Sequence, residues 1–193
     1  MSHDTAMRKV FGITLETAVR RILKSFDAAT PSDIEGGARW YDEAGDLATN
    51  LGASSGMGVE MAATVIAHLS PRTTWARNVT GAVTLLVYGE RADGLIGANF
   101  DRAVAALDSA DPISTLNGPK TNAFARNIAG DREAVTVDVW AMRVVDLDET
   151  LLSRKGAYDA VAHAYRLAAR RRGVDPATMQ ATTWIVARNG RAA

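Results

Sequence analysis

The chain has 193 residues and no cysteine, and its 22 basic side chains are balanced by 22 acidic ones. Its length suits one domain, built as a single body or as two helical lobes, and 47% apolar residues are enough for a core. Without cysteine it can form no disulfide, thiolate zinc site or cysteine-ligated iron–sulfur cluster. No apolar run reaches the length of about twenty residues that spans a membrane, and the N-terminus reads without a signal core. Neutrality hides an uneven distribution, because residues 151–193 carry eight Lys/Arg against two Asp. Such a segment is either a basic stripe facing a phosphate backbone or a solvated basic helix.

Taken in order, residues 1–12 read as polar and loosely attached. Thr14 is placed to cap a helix running to about Ala28, with Leu15, Val19, Ile22, Leu23 and Phe26 on one face. After the break at Thr30-Pro31-Ser32, Ser32 and Glu35 fit a capping box. The helix they open carries Trp40, Tyr41, Ala44, Leu47, Ala48 and Leu51, and Gly36 and Gly37 weaken its first turn. Val59 to Leu69 is apolar throughout and too long for an ordinary strand, so it reads as a buried helix. Ser70-Pro71-Arg72 ends it, and Thr73 or Thr74 caps a helix that stops at Gly89. Asn99 or Asp101 then caps a short helix, and a connector runs from Asp108 to Thr115.

Leu116 to Thr121 reads as a tight turn. Gly118 would take a φ that other residues resist, and Pro119 would open a helix that Gly130 closes. A β-branched run leads to Asp138, a candidate N-cap for a helix from Val139. Asp146, Asp148 and Glu149 crowd one turn without an EF-hand pattern, which favours an exposed turn over a metal site. Tyr158 to Arg171 reads as a long helix, and the Arg170-Arg171-Arg172 run at its end suits a helix's negative pole as well as phosphates. Asp175 and Pro176 open the last helix, and Arg188 to Ala193 reads as a loose tail. His3, His68 and His163 match no zinc pattern. The sum is an all-α chain. Lys120 and Asp138, each at the start of a helix, either face a common cleft or are a surface lysine and an ordinary cap.

Three segments resemble the helix-hairpin-helix DNA glycosylase superfamily of the endonuclease III type. That family carries Leu-Pro-Gly-Val-Gly-x-Lys-Thr followed by Val-Asp-Thr-His-x-x-Arg-Val. Here Gly118 falls on the second hairpin glycine, and Lys120-Thr121 fall on its Lys-Thr. Val137-Asp138 fall on Val-Asp and Arg143-Val144 on Arg-Val, with the family's own spacing of 18 residues from Lys120 to Asp138. Upstream, His68-Leu69-Ser70-Pro71-Arg72-Thr73-Thr74 is similar to the family's Leu-Leu-Ser-x-Gln-x-Thr, so the resemblance covers roughly residues 57–146. The chain departs from the pattern where Leu116 replaces the first hairpin glycine, Arg72 the glutamine, and Val139-Trp140 the Thr-His pair.

The resemblance implies a helix-hairpin-helix glycosylase-like fold over the whole chain and cleavage of the N-glycosidic bond of an extruded base in duplex DNA. It makes Asp138 the catalytic carboxylate and Lys120 the Schiff-base lysine of bifunctional members. Arg72, Gly118, Thr121, Arg126, Arg143 and Arg170 to Arg172 become the expected DNA contacts. No metal or cofactor is implied, and the expected setting is the cytoplasm of a bacterial or phage-infected cell. A phage-associated branch linked to thymine hypermodification is a second match, and a non-catalytic DNA-binding helical protein is the third reading.

Overall fold

In the computed structural model, which describes residues 2–190, the all-α expectation is borne out: the described residues form ten α-helices and two 3-10 turns, with no strand. The helices are α1 His3–Phe11, α2 Leu15–Asp27, α3 Pro31–Ser55, α4 Val59–Leu69, α5 Trp75–Tyr88, α6 Gly97–Ala106, α7 Pro119–Ile128, α8 Val139–Val144, α9 Ala157–Arg172 and α10 Pro176–Arg188. None is long and apolar enough to cross a membrane. The chain divides into two compact units, one of Met1–Tyr41 with Arg132–Ala193 and one of Asp42–Asp131. Helix α3 runs through the boundary at Tyr41 and Asp42, so the second unit is an insertion within the first.

The first unit is built on α9. Ala157, Ala160, Ala164 and Ala168 are fully buried along it, and their small side chains let α1, α2 and α10 pack closely around one rod. Its core includes Met7, Val19, Ile22, Val135, Met142, Tyr165 and Met179. In the second unit α4 plays the same part, buried from Met61 to Leu69 and flanked by α5, α6 and α7.

Four expectations are corrected. Residues 3–11 form a helix: Ser2 caps it through the Thr5 N–H, Gly12 ends it at φ 71°, and Asp4 accepts the Leu15 N–H at 2.8 Å. A helix this short is marginal alone, but burying Met7 contributes about 1.5–3 kcal/mol towards holding it on α9. The capping box of α3 is formed by Thr30 and Asp33, two residues earlier than the expected Ser32 and Glu35, with the Asp33 carboxylate accepting from the Thr30 N–H at 2.8 Å. Neither Asn99 nor Asp101 caps α6, which begins after Ile96; the Asn99 amide instead donates to the Pro71 carbonyl at 3.0 Å. Arg188 still belongs to α10 and lies over the Trp184 ring, while residues 191–193 of the expected tail lie outside the described residues.

Gly37 is not a defect in α3. A Cβ there would fall 2.2 Å from the Thr182 hydroxyl oxygen and 2.7 Å from the Thr182 backbone nitrogen, so the missing side chain is what lets α3 lie against α10. At Gly36 a Cβ would meet only the tip of Ile185, at 3.3 Å. Gly37→Ala should therefore cost about 1–3 kcal/mol through overpacking despite its better helix propensity. Gly36→Ala should be much milder. Denaturant midpoints of the two variants check this, and equal midpoints would reject the close-approach role.

Candidate functional site

The residues singled out by motif divide between the two units. Arg72, Gly118, Lys120, Thr121 and Arg126 belong to Asp42–Asp131; Asp138, Arg143 and Arg170 to Arg172 belong to the other.

In the insertion, the C-terminal end of α4 supports both the Ser70–Thr74 loop and the hairpin. Ala67 packs with Leu116, Phe124 and Ala125. His68 Nε2 lies 3.0 Å from the Thr115 hydroxyl, and its imidazole is held below the ordinary histidine range by burial and then by the charge of Arg102. The Asn99 amide holds the loop at Pro71. Arg72 itself has φ 62°, a left-handed backbone that a residue with a Cβ adopts at a cost of order 1–3 kcal/mol. Its side chain is exposed.

The hairpin differs from its expectation. The element before it is a 3-10 turn, Ile113–Thr115, and Gly118 is extended at φ −153°. Any residue adopts that backbone, so Gly118 is not required for its φ. A Cβ on Gly118 would meet the Thr121 hydroxyl at an ordinary 3.6 Å. The Thr121 hydroxyl donates back to the Gly118 carbonyl at 3.1 Å, closing the first turn of α7. Lys120, second in α7, is exposed. Arg126 is paired with Asp131.

In the other unit Asp138 does cap α8. Its Oδ1 accepts the Ala141 N–H at 2.8 Å, and the residue is half-buried. The extended stretch before it is clamped by one phenol: Tyr158 donates to the Val135 carbonyl at 2.8 Å and accepts from the Val137 N–H at 3.0 Å. Tyr165 donates to the Ala141 carbonyl at 3.2 Å, and Tyr41 to Gln180 at 3.0 Å. Burial pushes the phenols of Tyr41, Tyr158 and Tyr165 well above their ordinary range, and the nearby negative charge of Asp138 adds to the shift in each. Tyr158 at Val137 and Tyr165 at Ala141 thus bond the backbone on either side of Asp138, an arrangement that the sequence reading did not assemble. The available signal was that Tyr158 and Tyr165 lie seven positions apart on one helix face, and a buried phenol must find a partner.

The basic candidates divide sharply. Arg143 lies over the Trp140 ring, its guanidinium carbon 4.4 Å from the centroid. Arg171 makes a two-pronged pair with Glu16, at 2.8 and 2.7 Å, and Arg172 makes one with Asp27. These pairs hold both carboxyls below their ordinary range. Arg170 is exposed and makes no ion pair among the described residues. The acidic turn is an exposed turn: Asp148 caps the 3-10 turn Glu149–Ser153, and Asp146 faces Arg21 at 3.6 Å. Among the described residues no group of three or more His, Asp or Glu is arranged to hold a metal.

Two stability tests follow from these positions. Gly118→Ala should stay within about 0.5 kcal/mol of wild type, whereas Gly130→Ala, at φ 101°, should cost about 1–2 kcal/mol; the opposite order would restore a special backbone role for Gly118. Asp138→Asn should keep the cap and most of the stability, while Asp138→Ala should lose about 0.5–2 kcal/mol. Thermal and urea midpoints of the variants measure both.

No curated protein and no solved structure matches the chain. One family model does, over residues 4–191, and the chain therefore belongs to the family of unknown function DUF7178.

Proposed function

We propose that the chain is a DNA base-excision enzyme of the helix-hairpin-helix glycosylase type, hydrolysing the N-glycosidic bond of an extruded base. The observation that carries this reading is Asp138, a half-buried carboxylate at a helix N-terminus, on a backbone clamped by Tyr158 and in the Val-Asp register of the motif. Breaking the bond leaves the electron pair on the departing base and positive character on the sugar. A fixed carboxylate beside that sugar stabilises the developing charge and takes a proton from the attacking water. Water supplies the oxygen that joins C1′, and the base leaves protonated.

Lys120 takes a different part in this scheme. Schiff-base chemistry needs a neutral amine, which enzymes obtain chiefly by burying the lysine. An exposed ammonium at the start of α7 suits contact with a phosphate instead. Arg72, presented on a strained loop braced by the same helix end as the hairpin, is the second contact expected from the insertion.

The test is a gel assay on duplexes carrying a panel of damaged and hypermodified bases. Wild type should release a base without breaking the strand, and Asp138→Asn should lose most single-turnover activity at nearly unchanged DNA affinity. Lys120→Ala should weaken binding with excision persisting at saturating enzyme, and borohydride should trap no adduct. Full activity in Asp138→Asn would reject the carboxylate's role. A trapped adduct abolished by Lys120→Ala would make Lys120 the nucleophile. A base of changed mass on an intact glycosidic bond would replace excision with base modification.

A further inference from the structure

One cationic feature takes no part in that scheme. His3 of α1 lies flat on His163 of α9, with ring centroids 4.0 Å apart and planes 15° from parallel. Arg166 and Arg170 follow His163 at helical spacings of three and seven, so they share its face. The Arg166 Nε donates to the Glu133 carbonyl at 3.0 Å, and Arg170 makes no ion pair among the described residues. Of the nearby acids, Asp4 is engaged by Arg8 and the Leu15 N–H, and Asp159 stands one turn before His163. Helix α1 also brings Arg8 and Lys9. The neighbouring arginines behave oppositely, because Arg171 and Arg172 are held by Glu16 and Asp27.

We propose that His3, His163, Arg166 and Arg170 form a phosphate-recognition surface for the phosphodiester groups of a nucleic-acid backbone. The choice of nucleic acid rests on the DNA reading above; the anion site does not. The His3 ring stacked on His163 and the two guanidiniums on the same face oppose a positive charge on the His163 imidazole. An anion removes the conflict by accepting N–H bonds from the rings and charge-assisted bonds from the arginines. The His163 imidazole is held below the ordinary histidine range by burial first and then by His3, Arg170 and Arg166. A bound phosphate reverses the electrostatic part, so binding takes up a proton and tightens as pH falls towards the histidine range.

The same shift has a sign for the unliganded protein. A histidine depressed on folding contributes stability that is present above its ordinary value and lost as pH falls, so acid should loosen α1 from α9 and phosphate should offset that loss. His68 is also depressed and acts in the same direction, so a His163 variant is needed to isolate this effect.

The experiment measures anisotropy of a labelled duplex against salt at about pH 8 and about pH 6, together with melting temperature in inorganic phosphate. For wild type, duplex binding should tighten several-fold on acidification, and His163→Asn should remove that dependence. The slope of log affinity against log salt should fall by about 1 in Arg170→Gln and about 2 in the Arg166→Gln/Arg170→Gln double variant. Arg170→Gln alters only an exposed side chain, so it remains informative if the double variant fails to fold. Duplex binding with unchanged slopes and pH dependence would overturn the surface and leave the DNA reading standing. Phosphate that raises the wild-type melting temperature but not that of Arg170→Gln, with no duplex binding, would keep the anion site, assign it to free phosphate and reject the DNA reading. No response to either probe would overturn both.

Discussion

Packing against α9 is the constraint on which the first unit depends. A helix lined with buried alanines lets other helices come close, and Val161 and Tyr165 are its own larger buried side chains. The partners add further large side chains: Met7 from α1, Val19 and Ile22 from α2, and Met179 from α10. The same arrangement fixes where polar groups can lie. Tyr158 and Tyr165 turn towards the α8 segment and satisfy its backbone, while His163, Arg166 and Arg170 occupy a face with less cover. Asp138 and the histidine–arginine surface are therefore both organised by one helix, through different faces of it.

Around Asp138 the backbone is held from both sides: Tyr158 bonds Val135 and Val137 before it, and Tyr165 bonds Ala141 after it. The buried phenols of Tyr41 and Tyr165 and the half-buried one of Tyr158 stay neutral because burial and the Asp138 charge both oppose their ionisation. Neutral phenols next to a carboxylate preserve a polar, hydrogen-bonding environment without adding a competing charge. The clamp from Tyr158 to both sides of Thr136 restrains the backbone that leads into the cap.

The elements legible in the sequence are those whose cause is local. Thr14, Asp138 and Asp175 each accept a backbone N–H three residues on, as short polar caps do. Gly89 ends α5 in the left-handed conformation, and α4 is buried as its continuous apolar run requires. What failed depended on distant partners. Helix α1 looked polar because Met7 gains its value only against α9, and Gly37 looked weak because Thr182, far along the chain, supplies the reason for it. The motif reading singled out Asp138 and Lys120 but not the tyrosines that bond the backbone on either side of Asp138. Nor did it foresee that Arg171 and Arg172 pair with carboxylates on α2.

The connectivity of the two units has a consequence for the order in which the chain can acquire structure. Asp42–Asp131 is continuous, and α4 to α7 can assemble as soon as that stretch has been synthesised. The apolar stripe of α2 has to wait, because Val135, Met142 and Tyr165, against which Val19 and Ile22 are buried, lie beyond the whole insertion. On the ribosome the first unit is thus an unfinished surface for most of translation, with Met7, Val19 and Ile22 exposed until α9 emerges to cover them.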